Sequence, residues 1–453
     1  MQIFFKRLMP LISLAILIGT GCRKQDQITP HQNTTDLSSE AEAQNGANRF
    51  DSYVAQSWYN LMMKLIIETP GHTPPIAARS FGYMGVALYE SLMGEMPNHH
   101  SLVGQLNGLT SIPQRMYGNS YIAPITANAA LARIIKDLFQ NASAANLSRI
   151  DSLESANENL YSKRFSEKII ARSVDYGRAV ADAVFNWSLT DGGNQAYLNI
   201  FPTDYIPPVG VDKWIATAPG QLAMLPYWGN NRPMVSANNA GSVDPPTSPA
   251  FSASPGSPFY KAAYEVYNTG SHLSAEQNSI ALYWGDGGGT FTPPGHNLAI
   301  TLQMIRNYHL NLSEAAILLA KVGIAENDAA VVCWRAKFKM NLLRPVTFIK
   351  EYIDAAWVPL IPTPPFPSYT SGHSTFSGAA ATILSAEIGD QISFTDSSKM
   401  AYGFSPRSFN NFNEAAQEAA ISRLYGGIHY RFDNDEGYKC GQLVAMNVEH
   451  LNW

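Results

Sequence analysis

Pro367-Ser-Tyr-Thr-Ser371-Gly372-His373 interrupts the chain with a proline and a glycine, and Phe376, Ala380, Ile383 and Leu384 follow at spacings of three and four. That spacing predicts a helix beginning right after the interruption. Ser371 and Gly372 therefore stand at a helix N-terminus, where free backbone N–H groups and the helix dipole favour an anion. Gly372 lets the backbone approach that anion closely. A plainer reading stays open: Ser371 as an ordinary N-cap and His373 as a first-turn surface residue.

The same periodicity recurs outward in both directions. Segments near 50–68, 76–94, 125–140, 144–162 and 165–187 carry apolar residues three and four apart, with Ile169, Ile170, Val174, Val180, Ala181 and Val184 as one stripe. Further helical patterns cover about 257–268, 274–284, 297–309, 313–342, 374–388, 412–424 and 437–450. No stretch gives several alternating strands in succession. Between about 188 and 256 the pattern fails, and Pro207, Pro208, Pro219, Pro245, Pro246 and Pro249 alternate with Gly and Asn. A loop of that length inside a domain is functional or poorly ordered, so it reads as a lid or as the rim of a pocket. The fold class is all-α, built of helix bundles with long irregular connections.

Composition narrows the function. Only 15% of the 453 residues are charged, and 22 Tyr, 20 Phe and 8 Trp accompany them, which excludes a disordered chain. A net charge of -5 gives no reason to expect nucleic acid as a partner. Three cysteines exclude a disulfide scaffold and a Cys-built zinc site. Cys333 and Cys440 read as free, since nothing indicates a geometry for a bridge.

The N-terminus reads as an export signal over residues 1–21. Lys6 and Arg7 precede the apolar run Leu8–Ile18, and small residues lead up to Cys22. The run is shorter than the ~20 residues a spanning helix needs. Small residues before a cysteine resemble a bacterial lipobox, which implies lipidation at Cys22, although Gly19 stands where a Leu-like residue is usual. Residues 22–45 are polar and read as a disordered tether. The expectation is an exported bacterial protein of the periplasm or outer membrane, or a secreted one, meeting a membrane only through its lipid. Residues 46–453 form one expected domain.

Two more patches carry chemistry. Lys337 and Arg344 are seven apart, two helical turns, and so share an expected face before Pro345 turns the chain. They could hold a tetrahedral oxyanion or be a solvated basic face. In Ser422-Arg423-Leu-Tyr-Gly-Gly-Ile-His429-Tyr-Arg-Phe-Asp433, Gly426 and Gly427 offer a break that swings His429 back toward Arg423. Asp433, four after His429, is in reach of its second ring nitrogen if the segment is helical. The alternative there is a helix end with a surface ion pair.

In this order the three patches resemble the signature shared by vanadium-dependent haloperoxidases and type 2 phosphatidic acid phosphatases: Lys-six-Arg-Pro, Ser-Gly-His, then Ser-Arg-five-His-three-Asp. It covers 337–433, and the proline usual before Ser-Gly-His in the phosphatases is replaced by Thr370. The loop Trp284-Gly-Asp-Gly-Gly-Gly-Thr-Phe-Thr-Pro-Pro-Gly-His296, the segment Asn327 to Lys337, Pro74-Pro-Ile-Ala-Ala-Arg79 and His429-Tyr-Arg-Phe-Asp433 are similar to the bacterial haloperoxidase branch.

That resemblance implies two helical bundles, a signature-bearing part at 313–453, and one vanadate per subunit. Carried over, His429 binds vanadium and Asp433 orients it. Lys337, Arg344, Ser371, Gly372 and Arg423 hydrogen-bond the vanadate oxygens, and His373 is the acid–base. The reactants implied are hydrogen peroxide and iodide, bromide or chloride, with Lys337 as electrostatic activator. A phosphatase would use the same residues differently, with His429 as nucleophile forming a phosphohistidine and His373 as acid. A non-catalytic oxyanion-binding surface lipoprotein is the third reading. Phe366 and Trp334 are expected to line the pocket or to be ordinary core. Asp286 and His296 flank a Gly-rich loop, with Asp286 expected to pair with a site arginine and His296 either lining the pocket or structural.

Overall fold

The computed structural model describes residues 46–453; the export signal, the tether and Cys22 lie outside the described residues. Among the described residues thirteen α-helices carry the fold. In the N-terminal half these are α1 (Tyr53–Glu68), α2 (Pro74–Leu92), α3 (Ala123–Leu138), α4 (Ala144–Ser162) and α5 (Glu167–Ser188). Then come α6 (Pro258–Ser271), α7 (Ala275–Tyr283), α8 (Thr292–Asn307), α9 (Leu312–Met340) and α10 (Pro345–Tyr352). The last three are α11 (Gly372–Glu387), α12 (Phe412–Tyr425) and α13 (Arg431–Glu449).

α9 organises the molecule. Asn311 and Glu314 close a capping box at its start, and nearly every residue from Leu312 to Lys337 is buried on all sides. A helix apolar around its circumference belongs between layers. α9 packs on α2 in the N-terminal bundle and on α11 and α13 in the C-terminal one. One hydrophobic core runs through both bundles from Ala47 to Val448, and a smaller cluster gathers Phe259, Phe348 and Tyr430. Glycines set the closest crossings: a Cβ on Gly323 would lie 2.5 Å from the Phe81 carbonyl, and one on Gly441 would lie 2.1 Å from that of Thr375.

Several local expectations change. The helix expected over 313–342 stops at Met340, because Asn341 turns left-handed with φ 49°. Lys337 and Arg344 therefore share no helix face; Arg344 is the N-cap of α10, a short helix the periodicity did not predict. The last helix begins at Arg431 rather than 437. A small antiparallel pair also appears, β1 (Phe394–Asp396) with β2 (Arg407–Phe409), in the register Phe394 to Phe409.

The 188–256 region holds three short 3-10 turns (Ala196–Leu198, Trp228–Asn230 and Ser236–Asn238) and is pinned to the body. At its start Asp191 accepts from Arg79, from Tyr83 at 2.7 Å and from the Gly193 N–H. Further on the Asp328 carboxylate of α9 accepts from the Met234 and Val235 N–H groups and from Asn238. Among the described residues no helix is long and apolar enough to cross a membrane.

Candidate active site

A cavity of about 760 Å³ opens between the two bundles. Gly372, His373, Arg423 and His429 line one part of it, with Trp334, Phe366 and Asp286 beside them. Lys337, Arg344, Ser371 and Asp433 stand behind that wall, all buried.

His429 reaches the wall through the turn after α12. Gly427 adopts φ +77°, and the Ile428 N–H bonds back to the Arg423 carbonyl at 3.1 Å. This is the return the two glycines suggested. His429 itself precedes α13. Asp433, in the first turn of α13, reaches back to the Tyr430 N–H at 3.2 Å and to His429 Nδ1 at 2.8 Å. Ser368 donates its hydroxyl to the same carboxylate oxygen. With Nδ1–H on Asp433, His429 Nε2 keeps its lone pair and accepts from Arg344 Nη1 at 3.1 Å. Burial, then the charges of Arg344 and Lys337, hold His429 well below the usual imidazole range, so it is neutral.

Three cations surround this imidazole. Arg344 donates Nε to the Phe366 carbonyl and Nη1 to that of Ile428, each at 2.8 Å, while its buried Nη2 has no partner among the described residues. Arg423 bonds the Ala281 and Trp284 carbonyls and the Ser422 hydroxyl. Burial pushes both guanidinium groups down to about 10. Lys337, also pushed down by burial, aims its ammonium at the Pro367, Ser368 and Thr370 carbonyls. Its ring neighbours are Phe366 at 4.9 Å and Trp334 at 5.9 Å. Lys337 thus contributes charge and fixes the loop before Ser371, and it has no spare donor aimed at the cavity.

Ser371 does cap α11, accepting from the Ser374 N–H, and its own N–H bonds the Asp433 carbonyl at 2.9 Å. A Cβ on Gly372 would fill cavity space, 3.7 Å from Trp334 and 3.8 Å from Phe376. His373, on the first turn of α11, lines the cavity, and its buried Nε2 has no partner among the described residues; its ring also bonds the Trp284 carbonyl. Burial and Arg423 hold its pKa well below the ordinary value, and Asp286 works against that.

Asp286 does not pair with a site arginine. Its carboxylate meets His296 at 2.9 Å and Lys399 at 2.6 Å, and the other His296 nitrogen meets Asp396 at 2.8 Å. His296 lies outside the cavity lining, stacked on Trp284 at 4.5 Å. Two carboxylates and two cations balance there, with Tyr283 closing the set on Asp396. Sequence reading missed Ser368, Tyr283, Asp396 and Lys399. Ser368 lay inside the quoted motif, but Asp396, at the end of β1, and Lys399 just after it have no motif around them. Cys333 and Cys440 are free and buried.

Buried cations whose heads meet carbonyls, set beside the Asp433 carboxylate and a neutral imidazole, define an all-α protein built to hold a multiply charged oxyanion. Residues 317–452 match the family model described as the VCPO second helical-bundle domain. The fold is similar to a bacterial vanadium-dependent iodoperoxidase, with 33% identity over 88% of this chain and 96% of that one, and a TM-score of 0.80. The sequence is similar to vanadium chloroperoxidase of Curvularia inaequalis, 25% identical over 35% of this chain and 36% of that protein. It is also similar to a vanadium-dependent bromoperoxidase of Ascophyllum nodosum, 33% identical over 25% of each. The matched stretch thus spans about a third or less of these two curated relatives. The chain belongs to the vanadium-dependent haloperoxidases.

The residues present fit vanadate, the group that family implies. The orphaned Nη2 of Arg344, the lone pair of His429 Nε2, and the Cβ-sized space at the N-terminus of α11 supply a charged donor, a ligand atom and a cradle.

Proposed function

We propose that the protein is a vanadate-dependent haloperoxidase, which converts halide, hydrogen peroxide and a proton to hypohalous acid and water. The observation that carries this reading is the set of three buried cations, gathered round His429, whose heads bond no carboxylate among the described residues. Vanadate held there supplies a Lewis-acidic centre that activates peroxide without changing its own oxidation state. His429 Nε2 is the ligand atom, and Asp433 fixes it by holding Nδ1–H. Arg344, Arg423 and the Gly372 N–H hold the oxyanion charge, and Lys337 adds positive charge from behind. His373, which lines the cavity and whose Nε2 has no partner among the described residues, takes and returns the proton of the incoming peroxide.

Residues Met1–Cys22 support export and a lipid anchor on Cys22; the mass of the N-terminal peptide from the mature protein tests this. The activity is tested with iodide, bromide and chloride oxidation across a vanadate titration, beside hydrolysis of a phosphomonoester. Halide oxidation that rises with vanadate is the expected result. Hydrolysis without vanadate, inhibited when it is added, would make His429 a nucleophile and the protein a phosphatase.

A further inference from the structure

Asp286 and Arg423 are a buried carboxylate and a buried guanidinium that do not pair, although the chain brings them together. Arg423 rests on the C-terminal end of α7, where the last carbonyls of a helix lack intrahelical partners and attract a cation. Its Nη2 donates to the Ala281 carbonyl at 3.2 Å and to the Trp284 carbonyl at 2.5 Å, and its Nε donates to the Ser422 hydroxyl at 3.0 Å. These bonds leave Nη1 unused, and Arg423 lines the cavity. Asp286 follows Trp284 by two residues, and its charge acts on both Arg423 and His373. A carboxylate and a guanidinium this close in a dry wall ordinarily close a two-point ion pair, since each charge buried alone is costly.

Other cations take both Asp286 oxygens. Oδ1 accepts from Lys399 Nζ at 2.6 Å and Oδ2 from His296 Nδ1 at 2.9 Å. Lys399 is only 2% exposed, and its ammonium lies over the rings of Tyr402, Phe291 and Phe404 at 5.0, 5.4 and 5.6 Å. Such a cage fixes a cation and adds an attraction of its own. His296 turns its other nitrogen to Asp396, which Tyr283 also holds. With both nitrogens on carboxylates the ring is an imidazolium. The backbone agrees with this anchoring. Asp286 stands at φ 41°, a left-handed conformation that a non-glycine residue keeps only where its surroundings fix it. The charges of Asp286, Asp396, His296 and Lys399 cancel, so the cluster holds no surplus for Arg423.

We propose that Lys399 is a positioning residue: it holds the Asp286 carboxylate away from Arg423, so that the Arg423 charge stays available to the bound oxyanion. The inference rests on the reading of the site as a vanadate site. Lys399 acts through Asp286 and is no ligand itself. Without its ammonium the cluster carries a net negative charge, with one carboxylate oxygen unpaired two residues from the carbonyl on which Arg423 rests. The carboxylate then turns to the guanidinium. An ion pair there cancels one of the three cations around His429. It also draws Arg423 off the Trp284 carbonyl, which holds the His373 ring as well. Lys399 thus reaches the oxyanion through one carboxylate, although it lies outside the three-part signature.

Calorimetric titration of the vanadate-free protein with vanadate tests this without turnover. Lys399→Met keeps most of the stem and removes the charge. It should weaken vanadate by about 10–100-fold, the range for losing a partner that stands behind a ligand set, and Lys399→Arg should weaken it less. The discriminating protein carries Lys399→Met and Asp286→Asn together, and its cluster is neutral again. Its affinity should return to within about threefold of the wild type, a coupling that damaged packing does not produce. Asp286→Asn alone should bind vanadate at least as tightly as the wild type. Wild-type affinity in Lys399→Met overturns the proposal, and so does a double variant no tighter than Lys399→Met. If Lys399→Met does not fold, Asp286→Asn decides. A loss of about tenfold or more there would show that Asp286 supports the oxyanion rather than being withheld from its arginine, and the proposal falls. A wild type that gives no heat with vanadate overturns the vanadate reading itself, and this inference with it.

Discussion

A single carboxylate oxygen decides the chemistry of His429. Asp433 Oδ2 accepts the ring Nδ1–H, the Ser368 hydroxyl and the Tyr430 N–H, so the imidazole has one tautomer and one orientation. Asn at 433 would turn an N–H toward the ring or lose the other two donors. Asp433→Asn should therefore weaken vanadate binding by about 10–100-fold, the usual cost of losing such a partner, and Ser368→Ala should weaken it less. Calorimetric titration with vanadate checks both, and equal affinities in the two variants and the wild type would refute the role. Gly372→Ala is the complementary case. The added methyl meets only Trp334 and Phe376 at ordinary contact distances, so folding should be unaffected while the oxyanion cradle is filled. The expected result is an unchanged Tm with vanadate affinity lowered by about tenfold or more, near 1.4 kcal/mol. The three patches that hold these residues were legible because each is local in sequence. What Lys337 touches was not legible, since its three carbonyls come from residues thirty and more positions away.

At the scale of elements, periodicity found the long helices and failed where burial is not what makes the helix. The first turn and a half of α13, Arg431 to Glu436, is almost entirely polar, and its start is held by Asp433 reaching back to Tyr430 rather than by an apolar stripe. α10, Pro345–Tyr352, is too short to show a stripe, and β1 and β2 have three residues each. The helix crossings are also invisible in periodicity, because they depend on residues that lack side chains. Gly441 lets α13 close on α11, and Gly378 and Gly437 do the same along the seam. Since an added Cβ on Gly441 would sit 2.1 Å from the Thr375 carbonyl, Gly441→Ala must push the helices apart or bend one. A cost of about 1–3 kcal/mol follows. Because α11 carries Gly372 and His373 while α13 carries Asp433, vanadate affinity should fall together with stability. A urea midpoint equal to that of the wild type would show that the seam yields freely.

The whole molecule carries its buried imidazoles in two opposite states, and this gives its stability a pH dependence with two limbs. His72 is buried against Phe139 and Tyr197, and burial lowers it from 6.5 to about 4, so the folded state keeps it neutral. Below pH 6.5 the unfolded chain takes up a proton that the folded one refuses. The contribution of His72 is therefore present above pH 6.5 and lost as pH falls toward 4, amounting to about 3 kcal/mol. His373 and His429, also held low, act in the same direction. His296 is the reverse: although burial opposes its charge, Asp286 and Asp396 win and raise it from 6.5 to about 9. Its contribution is complete below pH 6.5 and disappears as pH rises through 9. The histidines together therefore contribute most near pH 6.5 and less on both sides, while Glu95 and Asp433, raised to about 7 and about 6, slope against the acid limb and Lys337, lowered to about 7, slopes against the alkaline one. Urea unfolding from pH 4 to 9.5 resolves the two limbs. His72→Gln should shallow the acid limb without abolishing it, because His373 and His429 remain. His296→Gln should remove the alkaline limb and lower the peak, since it leaves Asp286 with Lys399 alone and Asp396 without its charged partner. Wild-type and His296→Gln midpoints that run parallel from pH 6.5 to 9 would mean that His296 is neutral in the folded protein, and that the balance of two carboxylates and two cations behind His373 does not exist.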